Sequence, residues 1–126
     1  MKKVLVIDDD PDQTEIAVQI LTDTETQVRA FTDPLRALAA LSSEDADLLI
    51  VDLSMPWIGG EDFINSARHR QPHLPIFLIS GYSRGLAIAQ ETGVHFFAKP
   101  VDWDALREAV HRVVRQPADS RPVAAR

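Results

Sequence analysis

The chain has no cysteine, which excludes disulfides, thiolate catalysis and cysteine-ligated zinc. No apolar run approaches the roughly 18 residues of a membrane-spanning helix, so none is expected. Basic residues are outnumbered, 13 Lys and Arg against 19 Asp and Glu, for a net charge of −6. Without a basic stripe, direct binding to nucleic acid or to an anionic membrane surface is not expected. The opening Met1-Lys2-Lys3-Val4 passes straight into a strand-like run. It lacks the longer apolar stretch and small-residue cleavage site of a signal peptide, and a cytoplasmic location is the default expectation.

The remaining composition is that of one soluble domain. The 126 residues are 45% hydrophobic and 25% charged, enough chain for a single real core. Apolar strand-like runs alternate with helical patterns. Val4–Ile7, Gln27–Phe31, Leu48–Val51, Ile76–Ile79 and Val94–Ala98 read as strands. Between and after them, helices are expected over about 12–21, from Pro34, over 61–69, over 84–91 and from Trp103. Ile16, Ile20 and Leu21 should face the core from the first helix. Leu35, Leu38 and Leu41 should do so from the second, and Phe63, Ile64 and Ala67 from the third. Asp33-Pro34 reads as an N-cap followed by proline at the first helical position, and Asp102 as the cap of the last helix. Trp103, Leu106, Val110, Val113 and Val114 should line that helix's buried side. Gly93 should close the fourth helix, and residues 116–126 read as a flexible tail or linker.

Strands alternating with helices imply an α/β fold, a doubly wound five-stranded parallel sheet with helices on both faces. Ligands in such folds bind beyond the carboxyl ends of the strands. The conspicuous polar residues fall there. Asp8 and Asp9 follow the first strand, Asp52 ends the third, Ser80 follows the fourth and Lys99 the fifth. Each has a bland reading as a turn former, cap or solvated surface residue. Together they deliver three carboxylates, a hydroxyl and an ammonium to one edge. Crowded carboxylates repel unless a cation compensates. A hard ion such as Mg²⁺ does so with one or two carboxylates plus waters and phosphate oxygens. A lysine and a hydroxyl beside it suit a phosphoryl group. The chemistry indicated is Mg²⁺-assisted phosphoryl transfer to an aspartate nucleophile.

On these motifs the chain resembles a response-regulator receiver domain of two-component signalling over about residues 3–115. The motifs, in order, are Val6-Ile7-Asp8-Asp9-Asp10, Asp52-Leu53-Ser54-Met55-Pro56 with Gly60 beyond, Ser80-Gly81 and Lys99-Pro100. The resemblance implies a flavodoxin-like strand order 2-1-3-4-5. Asp52 would accept a phosphoryl group from a histidine kinase or a histidine phosphotransfer protein. Asp9 would bind Mg²⁺ directly, Asp8 mainly through water, and Asp52 and the Ser54 carbonyl would complete the protein's share of the shell. Lys99 would pair with phosphoryl oxygens, and its bond to Pro100 would be cis. Ser80 would move to the phosphoryl group and Phe96 would act as an aromatic switch, with an ordinary core aromatic as the alternative. Gly81 would keep the loop beside Ser80 small. Ser54 and Tyr82 would tune the lifetime of the aspartyl phosphate. Such a domain catalyses its own phosphorylation and dephosphorylation and does not turn over a small substrate.

The output surface implied is the fourth helix, fifth strand and fifth helix, acting on a downstream protein or an attached output domain. Within these 126 residues no helix-turn-helix, cyclase or kinase segment is expected after residue 115. Either a stand-alone receiver or one cut from a larger protein is expected, and Ser80-Gly81-Tyr82 resembles receivers attached to hybrid kinases. The stretch from Ser80 to Lys99 is about three residues shorter than the commoner family pattern. The fourth helix is therefore expected to be short or irregular, which leaves dimerisation open.

Three other readings share part of the pattern. An Asp-x-Asp phosphohydrolase would use Asp8 as nucleophile, but usually has a longer chain and a further acidic motif. A flavin binder would need a phosphate cradle where three aspartates would repel one. A receiver fold could also dock partners without being phosphorylated.

Overall fold

The computed structural model describes residues 1–52, 59–81 and 83–116. Five strands and five helices alternate: β1 (Lys2–Ile7), α1 (Pro11–Leu21), β2 (Thr26–Phe31), α2 (Pro34–Ser43), β3 (Leu48–Asp52), α3 (Gly60–Arg70), β4 (Ile76–Ser80), α4 (Ser83–Thr92), β5 (His95–Ala98) and α5 (Trp103–Val114). All strand pairs are parallel and the order is β2-β1-β3-β4-β5, as expected. Among the described residues no helix is long and apolar enough to cross a membrane.

Strand side chains alternate between two cores because successive residues point to opposite faces. Leu5, Ile7, Leu49, Val51, Ile76 and Leu78 pack under α2, α3 and α4. Val4, Val6, Leu48, Ile50, Phe77 and Ile79 pack under α1 and α5. The central strands β1, β3 and β4 are apolar on both sides for this reason. The edge strand β5 is only half-covered.

Asp-Pro pairs open two of the helices. The Asp10 carboxylate accepts from the Asp12 amide at 2.9 Å, and that of Asp33 from the Leu35 amide at 2.9 Å, each with proline next in the chain. Asp102 caps α5 through the Ala105 amide at 3.1 Å. The first helix thus starts one residue before the expected Asp12, on the same device read correctly at Asp33-Pro34.

Two apolar stripes differ from expectation. Leu35 is 69% exposed, and α2 buries Pro34, Ala37, Leu38, Ala40 and Leu41 instead. Ile16 is also exposed and Ile20 half-buried, while α1 buries Thr14, Ala17 and Leu21. In both helices small residues on the inner face let the backbone lie close to the sheet, rotating the larger side chain outward. Trp103 and Val113 are half-buried against the α1–α5 core.

The fourth helix is a regular ten-residue α-helix ended by Gly93 in the left-handed region (φ 71°). The expected irregularity is absent from the helix itself. The helix starts at Ser83, and β4 ends at Ser80. Residues 117–126 of the expected tail lie outside the described residues.

Candidate functional site

The sheet register brings the polar residues to one edge. Asp52 is the last residue of β3, paired with Ile79, and Ser80 at the end of β4 pairs with Ala98. Lys99 therefore emerges beside Ser80, and its amide donates to the Ser80 carbonyl at 3.1 Å. Its bond to Pro100 is cis, as expected.

From there the Lys99 side chain crosses to β3. Its Nζ donates to Asp52 Oδ2 at 2.6 Å. Asp52 is buried and Lys99 partly exposed, so the pair lies at the floor of an open edge. Burial disfavours the ammonium, but the hydrogen bond with Asp52 and the charges of Asp52, Asp8 and Asp9 outweigh it. The lysine pKa is held above its ordinary value.

Asp8, just past β1, has its backbone amide tied to the Phe31 carbonyl at 3.1 Å and its Oδ1 accepting from the Asp10 amide at 3.0 Å. Burial pushes its carboxyl up to about 7. The Asp10 amide opposes the shift, while the charge of Asp52 and a side-chain hydrogen bond with it add to it, and Lys99 offsets part. Asp8 and Asp52 thus form a carboxylate pair for which one lysine is insufficient compensation. A cavity of about 30 Å³ opens beneath them, lined also by Ile50, Ile79, Trp103 and Leu106.

Ser80 is buried at 2% exposure, and Phe96 packs half-buried against the α2–α3–α4 core. Ser54 and Tyr82 lie outside the described residues. Among the described residues no three acidic or imidazole side chains form a ready metal cage. The donor set still fits Mg²⁺, which uses few protein carboxylates and prefers oxygen. Burial and the neighbouring Asp52 charge raise Asp8, so added positive charge beside this pair is favourable.

One neighbour of this site escapes the motif reading. Gly85, in the first turn of α4, lies directly on Ser80. A glycine inside an apolar helical pattern is the sole sequence signal for such a close approach.

A parallel sheet of this order, with an acidic pair, an aspartate and a lysine gathered at its carboxyl edge, defines a receiver-type α/β module. The chain belongs to the response regulator receiver domain family, whose model matches residues 4–111. It is thus a receiver domain of two-component signalling. It is 32% identical over 117 residues to the response regulator protein PilR of Pseudomonas aeruginosa, covering 90% of this chain and 26% of that one. It is 28% identical over 115 residues to the CAI-1 autoinducer sensor kinase/phosphatase CqsS of Vibrio cholerae, covering 86% and 17%. Among solved structures it resembles the response regulator protein TrrA of Thermotoga maritima in complex with Mg²⁺-BeF. The TM-score is 0.79 and the identity 26%, with 90% of this chain and 99% of that one covered. The chain spans about a quarter of the length of the first curated relatives it matches.

Proposed function

We propose that Asp52 is the phosphoacceptor of this receiver domain, taking a phosphoryl group from a phosphohistidine on a histidine kinase or histidine phosphotransfer protein. The observation that carries the reading is the buried Asp52 carboxylate, joined to Lys99 at 2.6 Å and adjoined by Asp8. In the transfer, an Asp52 oxygen forms a bond to phosphorus as the bond from phosphorus to the imidazole nitrogen breaks. The electron pair of that bond leaves with the imidazole. Lys99 is positioned to follow the charge from the carboxylate onto the phosphoryl oxygens. Ser80 supplies a hydroxyl donor from the neighbouring strand end.

Asp8, Asp9, Asp52 and the Ser54 carbonyl are the residues that would hold Mg²⁺. When bound, the ion neutralises charge on the transferring oxygens. The match to the receiver domain family disfavours the hydrolase reading.

Phosphorylation adds roughly one and a half to two negative charges. The differential contact of Ser80 and Lys99 with that group biases the β4–α4 region and Phe96, presenting α4, β5 and α5 to a downstream protein or attached output domain. Residues 1–115 form the receiver and 116–126 a linker or tail in this reading. Ser54 and Tyr82 set the lifetime of the phosphoryl group.

Intact-mass spectrometry after incubation with Mg²⁺ and acetyl phosphate tests the reading. One acid-stable, base-labile phosphoryl group on the wild type and none on Asp52→Asn supports it. Equal modification of both proteins sinks it.

A further inference from the structure

A Cβ built on Gly85 would stand 2.4 Å from Ser80 Cβ, 2.5 Å from Ser80 Oγ and 3.2 Å from Phe96 Cε1. Carbon atoms in contact prefer about 3.5–4.0 Å, so the first distance is a hard clash. Rotating the Ser80 hydroxyl moves Oγ but leaves Cβ in place. Strand β4 has little freedom to yield, being paired on both sides and fastened at Ser80 by the Lys99 amide.

The relief must come from the first turn of α4, where Gly85 lies. The other end of that helix is anchored. The Arg68 guanidinium of α3 donates to the Thr92 carbonyl. The helix is therefore pinned at its C-terminus and rests its first turn on Ser80 through a missing side chain. Glycine in a helix costs about 1 kcal/mol relative to alanine, and the close approach accounts for its presence.

We propose that Gly85 is a positioning residue for the Ser80 hydroxyl: its bare backbone lets α4 close over Ser80, and that contact sets how readily the hydroxyl shifts toward a phosphoryl group on Asp52. The inference rests on the reading of Asp52 as phosphoacceptor. A Ser80 hydroxyl that turns toward a phosphoryl group on Asp52 would leave its contact with Gly85, and a side chain at position 85 crowds that same contact. Both act against the same packed arrangement. Gly85→Ala therefore favours the phosphoryl-bound arrangement while destabilising the fold without it.

The test titrates beryllofluoride, a phosphoryl mimic, in saturating Mg²⁺, into wild type, Gly85→Ala, Ser80→Gly and the double variant. Tryptophan fluorescence reads binding, and thermal unfolding is measured on each protein. Gly85→Ala is expected to tighten binding by about fivefold or more, the low end of usual site-to-site coupling, with a lowered Tm. In the Ser80→Gly background, where the clashing side chain is gone, both effects are expected to disappear. Unchanged affinity in Gly85→Ala, or the same shift in both backgrounds, overturns the proposal. If Gly85→Ala does not fold, a folded double variant supports the contact and an unfolded one overturns it. A wild type that binds no beryllofluoride fails the Asp52 reading itself, before any Gly85 variant is compared, and the proposal falls with it.

Discussion

Lys99 Nζ reaches Asp52 Oδ2 at 2.6 Å across the end of β4, joining the residue just past β5 to the end of β3, two strands that are not neighbours in the sheet. The pairing places a cation on a carboxylate that is 5% exposed at its side chain, while the lysine keeps 38% of its own side chain in water. Removing the lysine leaves Asp52 and Asp8 to repel each other. Lys99→Met is expected to lower stability at neutral pH by about 1–3 kcal/mol, below the usual loss for a fully buried pair because water replaces part of the ammonium. Urea denaturation checks it, and an unchanged midpoint would show that the pair holds no net energy.

Asp8 gives the protein a pH dependence of definite sign. Its carboxyl is pushed up to about 7 from 3.8 by burial and by Asp52. Between those values the folded chain keeps a proton that the unfolded chain has lost. Stability contributed by this group therefore falls as pH rises through that window and is level above it. In Mg²⁺-free buffer Asp8→Asn is expected to remove this part of the slope. At about pH 8 it should be more stable than wild type by about 1–2 kcal/mol, discounted for the half-exposure of the carboxyl. Parallel stability-versus-pH curves for the two proteins would contradict the assignment.

Mg²⁺ should relieve the same repulsion. The Tm of the wild type is expected to rise on adding Mg²⁺, more at about pH 8 than at about pH 6, because protons compete for the Asp8 carboxylate. Chelation should reverse the rise, and Asp8→Asn should lose most of it. A Tm gain independent of pH would place the ion elsewhere.

The Asp102 cap holds the start of α5, the element that carries Trp103 to the wall of the site cavity. Asp102→Ala is expected to cost about 1 kcal/mol by thermal unfolding, with fraying of the first turn seen as faster amide exchange at Ala105. Exchange there at the wild-type rate would show that tertiary packing alone holds the turn.

The sheet and its polar edge were legible because strand runs such as Leu48–Val51 are apolar on both faces and end at charged residues. Their placement follows from parallel topology once the strand ends are known. Helix faces were less legible. Leu35 and Ile16 look like core residues by size, whereas the packing used Ala37, Ala40 and Ala17, whose smallness brings the helices close. Periodicity weighted by large side chains misses such positions. The Asp10-Pro11 cap was readable from the identical pair at 33–34. Gly85 was not, because its meaning depends on how closely the first turn of α4 packs on Ser80, a relation between elements that no local pattern carries.

The most direct test of Asp52 as phosphoacceptor is to locate the phosphoryl group itself. The protein is phosphorylated with acetyl phosphate and Mg²⁺, reduced with borohydride to convert an acyl phosphate to homoserine, and sequenced by tandem mass spectrometry. Homoserine at position 52 alone is the expected result. Homoserine at position 8, or no conversion in a protein shown to bind Mg²⁺ and offered a phosphohistidine donor as well, would contradict it.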